Sequence, residues 1–150
     1  MADDSDLLKL YSKRILALAA DIPFTDRLEA PDATARKRSP LCGSTVTVDL
    51  DLEDGRIVRY GQDVKACALG QASAAVIGHN VIGRDLAEIE AGRAALHGML
   101  KSDGPPPGAP FDGLEALLPA KDFKNRHASI LLTFDAILEA MTSAKEQASA

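Results

Sequence analysis

Thr45 to Leu52 is the segment that most narrows what this chain can fold into. Val46, Val48, Leu50 and Leu52 alternate with Thr45, Thr47, Asp49 and Asp51, so an extended chain there has one apolar and one polar face. Asp54-Gly55 follows, a pair suited to a tight hairpin because glycine takes positive φ readily. The returning strand runs from Arg56 to about Lys65, with Ile57, Val58, Tyr60 and Val64 apolar. Residues 33 to 39 make a third member of an antiparallel meander. Their basic cluster, Arg36, Lys37 and Arg38, suits a solvated edge strand.

The rest of the chain reads as helix. Ser5 can cap a first helix to about Ala20, with Leu8, Tyr11, Ile15 and Leu18 in one stripe, and Asp21-Ile22-Pro23 ends it. Ala66 to about His79 is an alanine-rich helix with Leu69, Ala72, Val76 and Ile77 on one side. Gly83-Arg84-Asp85 opens another that reaches about Lys101. Ser102 to Pro110 carries four prolines and two glycines in nine residues, which makes it a connecting loop. A short helix at Leu114 to Leu118 precedes a final one from about Asn125 to Met141, whose buried face is Ile130, Leu131, Phe134, Ile137, Leu138 and Met141. Strands first and helices afterwards predict an α+β domain, a small three-stranded antiparallel meander with helices packed on one face. At 150 residues the expectation is one domain, residues 1 to 150.

Composition removes several classes of function. Seventeen Lys+Arg stand against 22 Asp+Glu, and there is no Trp, which argues against nucleic acid as a partner. The longest aliphatic run, Ile15 to Ala20, has six residues, far short of the roughly 20 that span a bilayer. The N-terminus begins Met1-Ala2-Asp3-Asp4, acidic where a secretory signal is basic. The expectation is a cytoplasmic protein without a membrane partner, whose two cysteines act as thiols, ligands or catalysts rather than as a disulfide.

Three side chains stand out by position. Cys42 lies in the turn Ser39-Pro40-Leu41-Cys42-Gly43 before the central strand, Cys67 where the returning strand gives way to helix, and His127 at the start of the last helix. The positive end of a helix favours a thiolate at Cys67 by about 0.3–1 kcal/mol. One pKa unit is about 1.4 kcal/mol, so the helix alone does not make a reactive thiol, whereas a metal ion deprotonates one outright. Cys42 to Cys67 is 25 residues and Cys67 to His127 is 60, which matches no compact zinc-finger or redox spacing. From spacing alone, two buried cysteines and an ordinary histidine remain the simplest reading. A Cys-His hydrolase pair finds no glycine-rich oxyanion turn to support it. His79 and His97 fall within helices and read as structural or solvent-facing.

Ser39-Pro40-Leu41-Cys42-Gly43-Ser44 with its strand and hairpin resembles the NifU/IscU family of iron–sulfur cluster assembly scaffolds. So do Ala66-Cys67-Ala68-Leu69-Gly70-Gln71-Ala72-Ser73-Ala74 and Leu118-Pro119 followed by Arg126-His127-Ala128-Ser129-Ile130-Leu131. The three motifs occur in the family's order along nearly the whole chain. The resemblance implies a site at one end of an α+β domain that holds a transient [2Fe–2S] cluster, iron or a stabilising zinc ion. It implies a scaffold rather than an enzyme, with a cysteine desulfurase and cluster carriers as partners. Cys42, Cys67 and His127 match ligand positions. Ser44 stands where the family has aspartate and is a poorer donor, and Ala128 stands where the family has its third cysteine, the residue usually implicated in accepting sulfur.

A [2Fe–2S] cluster takes four protein ligands, normally cysteines, with histidine tolerated. One chain offers Cys42, Cys67 and His127, so Ser44, a small thiol or a second chain in a homodimer must complete the set. Thiols and imidazole bind metal deprotonated, so uptake should compete with protons near and below neutrality on the histidine side. Two other readings stay open: a degenerate scaffold that keeps only a docking surface and acts as an interaction or regulatory protein, and a sulfur-transfer enzyme with Cys67 as nucleophile.

Overall fold

The computed structural model describes residues 11–41 and 43–149, with side chains as far as Gln147. Three strands, β1 (Ala33–Arg38), β2 (Thr45–Glu53) and β3 (Arg56–Lys65), form one antiparallel sheet in the order β1-β2-β3. The alternation in β2 sets the register. Val46, Val48 and Leu50 are fully buried on one face, and Val48 lies between Ala35 of β1 and Gln62 of β3. The hairpin turns at Asp54 and Gly55, both at positive φ (52° and 78°), the geometry that matches strand twist. Arg36 and Arg38 point to solvent from the edge strand.

Four α-helices complete the described fold: α1 (Lys13–Ala19), α2 (Ala68–His79), α3 (Leu86–Lys101) and α4 (His127–Ser149). Helix α4 lies against β1 and β2. Its buried side is Ile130, Phe134, Ile137 and Met141, and Ala33 and Ala35 on β1 let it approach the sheet closely. Helices α2 and α3 flank it, and α1 packs on α2. Asp85 caps α3 through a reciprocal pair with Glu88, each side chain taking the other's backbone N–H (2.9 and 3.3 Å).

Several elements differ from the sequence expectation. Helix α1 starts only at Lys13, because Ser12 is extended and accepts the N–H of Ile15 as its N-cap. The proposed cap at Ser5 lies outside the described residues, and Tyr11 sits before the helix with 36% of its surface exposed. Helix α2 is buried from Leu69 through Gly78 save for the partly exposed Gln71, not along one stripe, because it lies between α1, α4 and the sheet. The short helix is a longer 3₁₀ stretch, Asp112–Asp122, with Pro119 inside it, followed by a 3₁₀ turn at Lys124–Arg126. Helix α4 continues to Ser149, beyond the apolar pattern that ends at Met141.

The polar face of β2 holds the main surprise. Asp49 is fully buried, because the segment between α1 and β1 crosses that face. Its carboxylate accepts Nε and a terminal nitrogen of Arg27 (2.6 and 3.0 Å), the N–H of Leu28 (3.1 Å) and the hydroxyl of Thr34 (2.6 Å). Gly61 is the cross-strand partner of Asp49, and a Cβ there would come within 2.5 Å of the Asp26 carbonyl. Burial pushes the Asp49 carboxyl up, and the hydrogen bonds from Arg27, Thr34 and Leu28 outweigh it, so the group lies below its ordinary pKa. Its stabilising effect is present above the unfolded value of about 3.9 and fades as pH falls below it. Asp49→Asn keeps the shape but loses the charge, and should cost about 1–3 kcal/mol in urea unfolding at neutral pH. An unchanged midpoint would show that the strap does not depend on the charged carboxylate.

Candidate metal and cluster site

The end of the sheet away from the hairpin gathers three chain segments: the β1–β2 turn, the β3–α2 junction and the start of α4. Cys67 is the N-cap of α2, extended at φ −67° and ψ 169°, with no side-chain cap bond. It is partly exposed. An N-cap takes extended backbone while its carbonyl already accepts the helix's first bond, here from Gln71 N–H (2.9 Å). That places the thiol beside the helix's positive end.

The sulfur of Cys67 lies 3.6 Å from the hydroxyl of Ser129. Ser129 donates in turn to the hydroxyl of Ser44 (3.0 Å), so one polar chain joins all three segments. Gly70 makes this possible. A Cβ at that position would stand 2.6 Å from the Ser129 oxygen and 2.8 Å from the Ala66 Cβ, so only glycine lets the first turn of α2 approach α4 this closely. One turn further on, Ser73 donates to the Ile130 carbonyl (2.7 Å) and fixes the register of the two helices. Ser44 and Ser129 are both buried. The turn before Ser44 is closed by Ser39 N–H to the Ser44 carbonyl (2.8 Å) and Gly43 N–H to the Ser39 carbonyl (2.9 Å), with Gly43 at φ 72°. Cys42 lies outside the described residues.

His127 is 1% exposed and has two ring partners. Nε2 is 2.9 Å from the Ala120 carbonyl, and Nδ1 is 3.1 Å from the Lys101 ammonium. A carbonyl only accepts and an ammonium only donates, so the proton sits on Nε2 and the lone pair on Nδ1. A carbonyl on the far ring nitrogen is the usual support of a metal-ligating imidazole. The partners of His127 are therefore distinct from the Cys67–Ser129–Ser44 chain. Among the described residues, no three His, Cys, Asp or Glu side chains are gathered closely enough to hold a metal ion. Two residues with a place in this geometry were missed as candidates, Ser129 and Lys101. Ser129 sits inside the His127-Ala128-Ser129 motif and was readable as a neighbour. Lys101 is brought in by the end of α3, and no local spacing signals it. His79 is exposed and bonds Asp21 (3.0 Å to its carbonyl), a structural role as expected.

Burial holds the His127 imidazole below its ordinary pKa, and the nearby Lys101 and Lys124 charges lower it further against the opposing pull of the Ala120 and Lys121 carbonyls. The proton competition expected near neutrality thus moves to lower pH. The unfolded imidazole, at about 6.5, takes a proton before the folded one does. Stability from neutral His127 is therefore complete above about pH 6.5 and falls as pH drops from there to the lower folded value. Metal-free wild type should lose unfolding free energy across that interval, and His127→Gln should lose visibly less. Equal slopes would mean that the folded imidazole titrates normally.

No family model and no curated protein matches the chain. Solved structures do. The N-terminal structure of a nitrogen-fixing NifU-like protein from Brucella abortus is 45% identical, covers 94% of this chain and 98% of its own, and superposes with a TM-score of 0.91. A structure from Fervidobacterium islandicum AW-1, assigned by name as an iron–sulfur cluster assembly scaffold protein for the SUF system, is 20% identical. It covers 88% of this chain and 96% of its own, with a TM-score of 0.78, and shares the fold. With close to half its residues identical over almost its full length to the Brucella protein, this chain belongs to the NifU-like family.

Proposed function

We propose that this protein is an iron–sulfur cluster scaffold or carrier that takes up iron and sulfide, holds a [2Fe–2S] cluster in transit and passes it on. The observation that carries the reading is its 45% identity to the Brucella NifU-like protein across 94% of the chain. Cys42, Cys67 and His127 are the proposed ligands. Thiolate and imidazole suit iron–sulfur clusters and zinc alike, so a zinc ion can occupy the empty scaffold as a stabilising stand-in. The role asks for binding and release rather than for turnover. A cysteine desulfurase and acceptor carriers are the proposed partners, in the cytoplasm. Among the described residues no helix is long and apolar enough to cross a membrane.

The geometry supports Cys67 as a ligand by its exposure and its place beside a helix N-terminus. The Ala120 carbonyl on Nε2 directs the His127 lone pair to Nδ1, which lies against the Lys101 ammonium. Ser44 and Ala128 leave a monomer one strong ligand short, so cluster should be labile or shared between two copies. The same two substitutions favour the second reading, a scaffold fold kept for its docking surface without cargo.

Anaerobic purification followed by metal analysis and a visible spectrum separates the two. On the scaffold reading, wild type holds iron or zinc, and Cys42→Ser, Cys67→Ser and His127→Ala each lose most of it while remaining folded. A variant that keeps full occupancy removes its residue from the ligand set. Wild type that binds neither cluster nor metal after reconstitution leaves the degenerate scaffold.

A further inference from the structure

We infer that the groove at the hairpin end of the molecule docks a basic segment of a partner protein, one in which aliphatic side chains alternate with Lys or Arg. The groove has a volume of about 820 Å³, within the range of built binding sites. It lies between the β2–β3 hairpin, the start of α3 and the last turns of α4. Leu52, Leu86, Met141 and Ala144 line its apolar part. Met141 and Ala144 are only 2% and 8% exposed, so this floor is recessed. A flat partner surface does not reach it, and an inserted side chain does.

The charge around the groove selects the partner. Asp32, Asp54 and Asp85 border it, against Lys145 as the one cation among the described residues of the lining. Gln147, in the last turn of α4, lines it too, and that turn carries no basic residue. The negative end of a long helix therefore adds to the carboxylates. Arg56 lies 3.7 Å from Asp85 and offsets part of its charge, so Asp32 and Asp54 carry most of the selection. Lys and Arg meet both demands of the groove, with an apolar stem for the floor and a charged head for the rim. The walls are held before any partner arrives. Asp32 accepts the Leu52 N–H (2.8 Å), and Arg56 ties the hairpin to the start of α3 by donating to the Gly83 carbonyl (2.8 Å) and to Glu88 (3.1 Å). A preformed groove loses little to ordering when it binds. The candidate metal site is at the other end of the sheet, so a segment seated here does not cover Cys67, and the inference does not rest on the metal reading.

Synthetic peptides of equal length are the probes, one built from Leu and Lys, one from Leu and Glu, and one from Ser and Lys. Each is titrated into the isotope-labelled 150-residue chain and followed by amide NMR shifts. The Leu-Lys peptide should bind with shifts confined to Leu52, Leu86, Met141, Ala144 and their neighbours. The other two should bind about tenfold more weakly, one for want of opposite charge and one for want of apolar anchors. Asp32→Asn combined with Asp54→Asn keeps the shape, since asparagine still accepts the Leu52 N–H and tolerates the positive φ at position 54 (52°). That double variant should weaken the Leu-Lys peptide about fivefold. Ala87→Arg, at an exposed position of the lining, adds bulk and positive charge and should abolish the groove shifts, with an unchanged urea midpoint showing that the fold is intact. Shifts elsewhere or none at all, equal binding of the Leu-Glu peptide, or unchanged affinity in the double variant overturns the inference. A dimer in sedimentation that buries these same residues makes the occupant a second copy of this chain and overturns the partner assignment.

Discussion

The close approach of α2 to the start of α4 is the contact on which the candidate site depends. A hydrogen atom at Gly70 is what separates the two helices there, since a methyl group would meet the Ser129 oxygen at 2.6 Å. The Ser73 hydroxyl then locks the pair to the Ile130 carbonyl. Because α2 begins at Cys67 and α4 begins at His127, fixing the helices against each other fixes where the thiol and the imidazole stand. The Ser129 hydroxyl links that frame to Ser44 in the β1–β2 turn, and so to the segment that carries Cys42.

The opposite face of the sheet shows the same economy with a charge in place of close packing. One buried carboxylate, Asp49, ties a crossing segment of irregular chain to the middle strand through three hydrogen bonds, and a fourth comes from Thr34 of β1. Arg27 reaches in from solvent with over half its side chain exposed, so the ion pair is only half desolvated and its Coulomb energy is correspondingly screened. Gln62 adds a second tie across the sheet edge, its backbone N–H donating to the Phe24 carbonyl (2.8 Å) and its side chain to the Pro23 carbonyl (3.0 Å). The sheet is thus covered by helices on one face and crossed by a strap on the other, and the candidate site lies at the end with the β1–β2 turn.

Much of this was legible in the residues. The alternation in β2, the Asp54-Gly55 turn and the apolar period of α4 are local signals, and they placed the sheet, its order and its covering helix. The burial of Asp49 was not legible, because an alternating strand reports which side chains share a face and not what later covers that face. The break before α1 was hidden for a different reason: Leu8, Tyr11 and Ile15 keep a helical period across Ser12, whose capping bond competes with that period. Motif matching singled out Cys67 and His127 as candidates, whereas Lys101, which lies against His127, comes from a helix 26 residues away in sequence, and only the packing of α3 on α4 reveals it.

The central claim is that this chain's own thiolate and imidazole bind metal together. X-ray absorption on zinc-loaded protein prepared without sulfide tests it most directly, since any sulfur at the metal must then come from cysteine. The account predicts sulfur at about 2.3 Å together with imidazole nitrogen at about 2.0–2.1 Å. A shell of oxygen and nitrogen alone, with no sulfur, would contradict it.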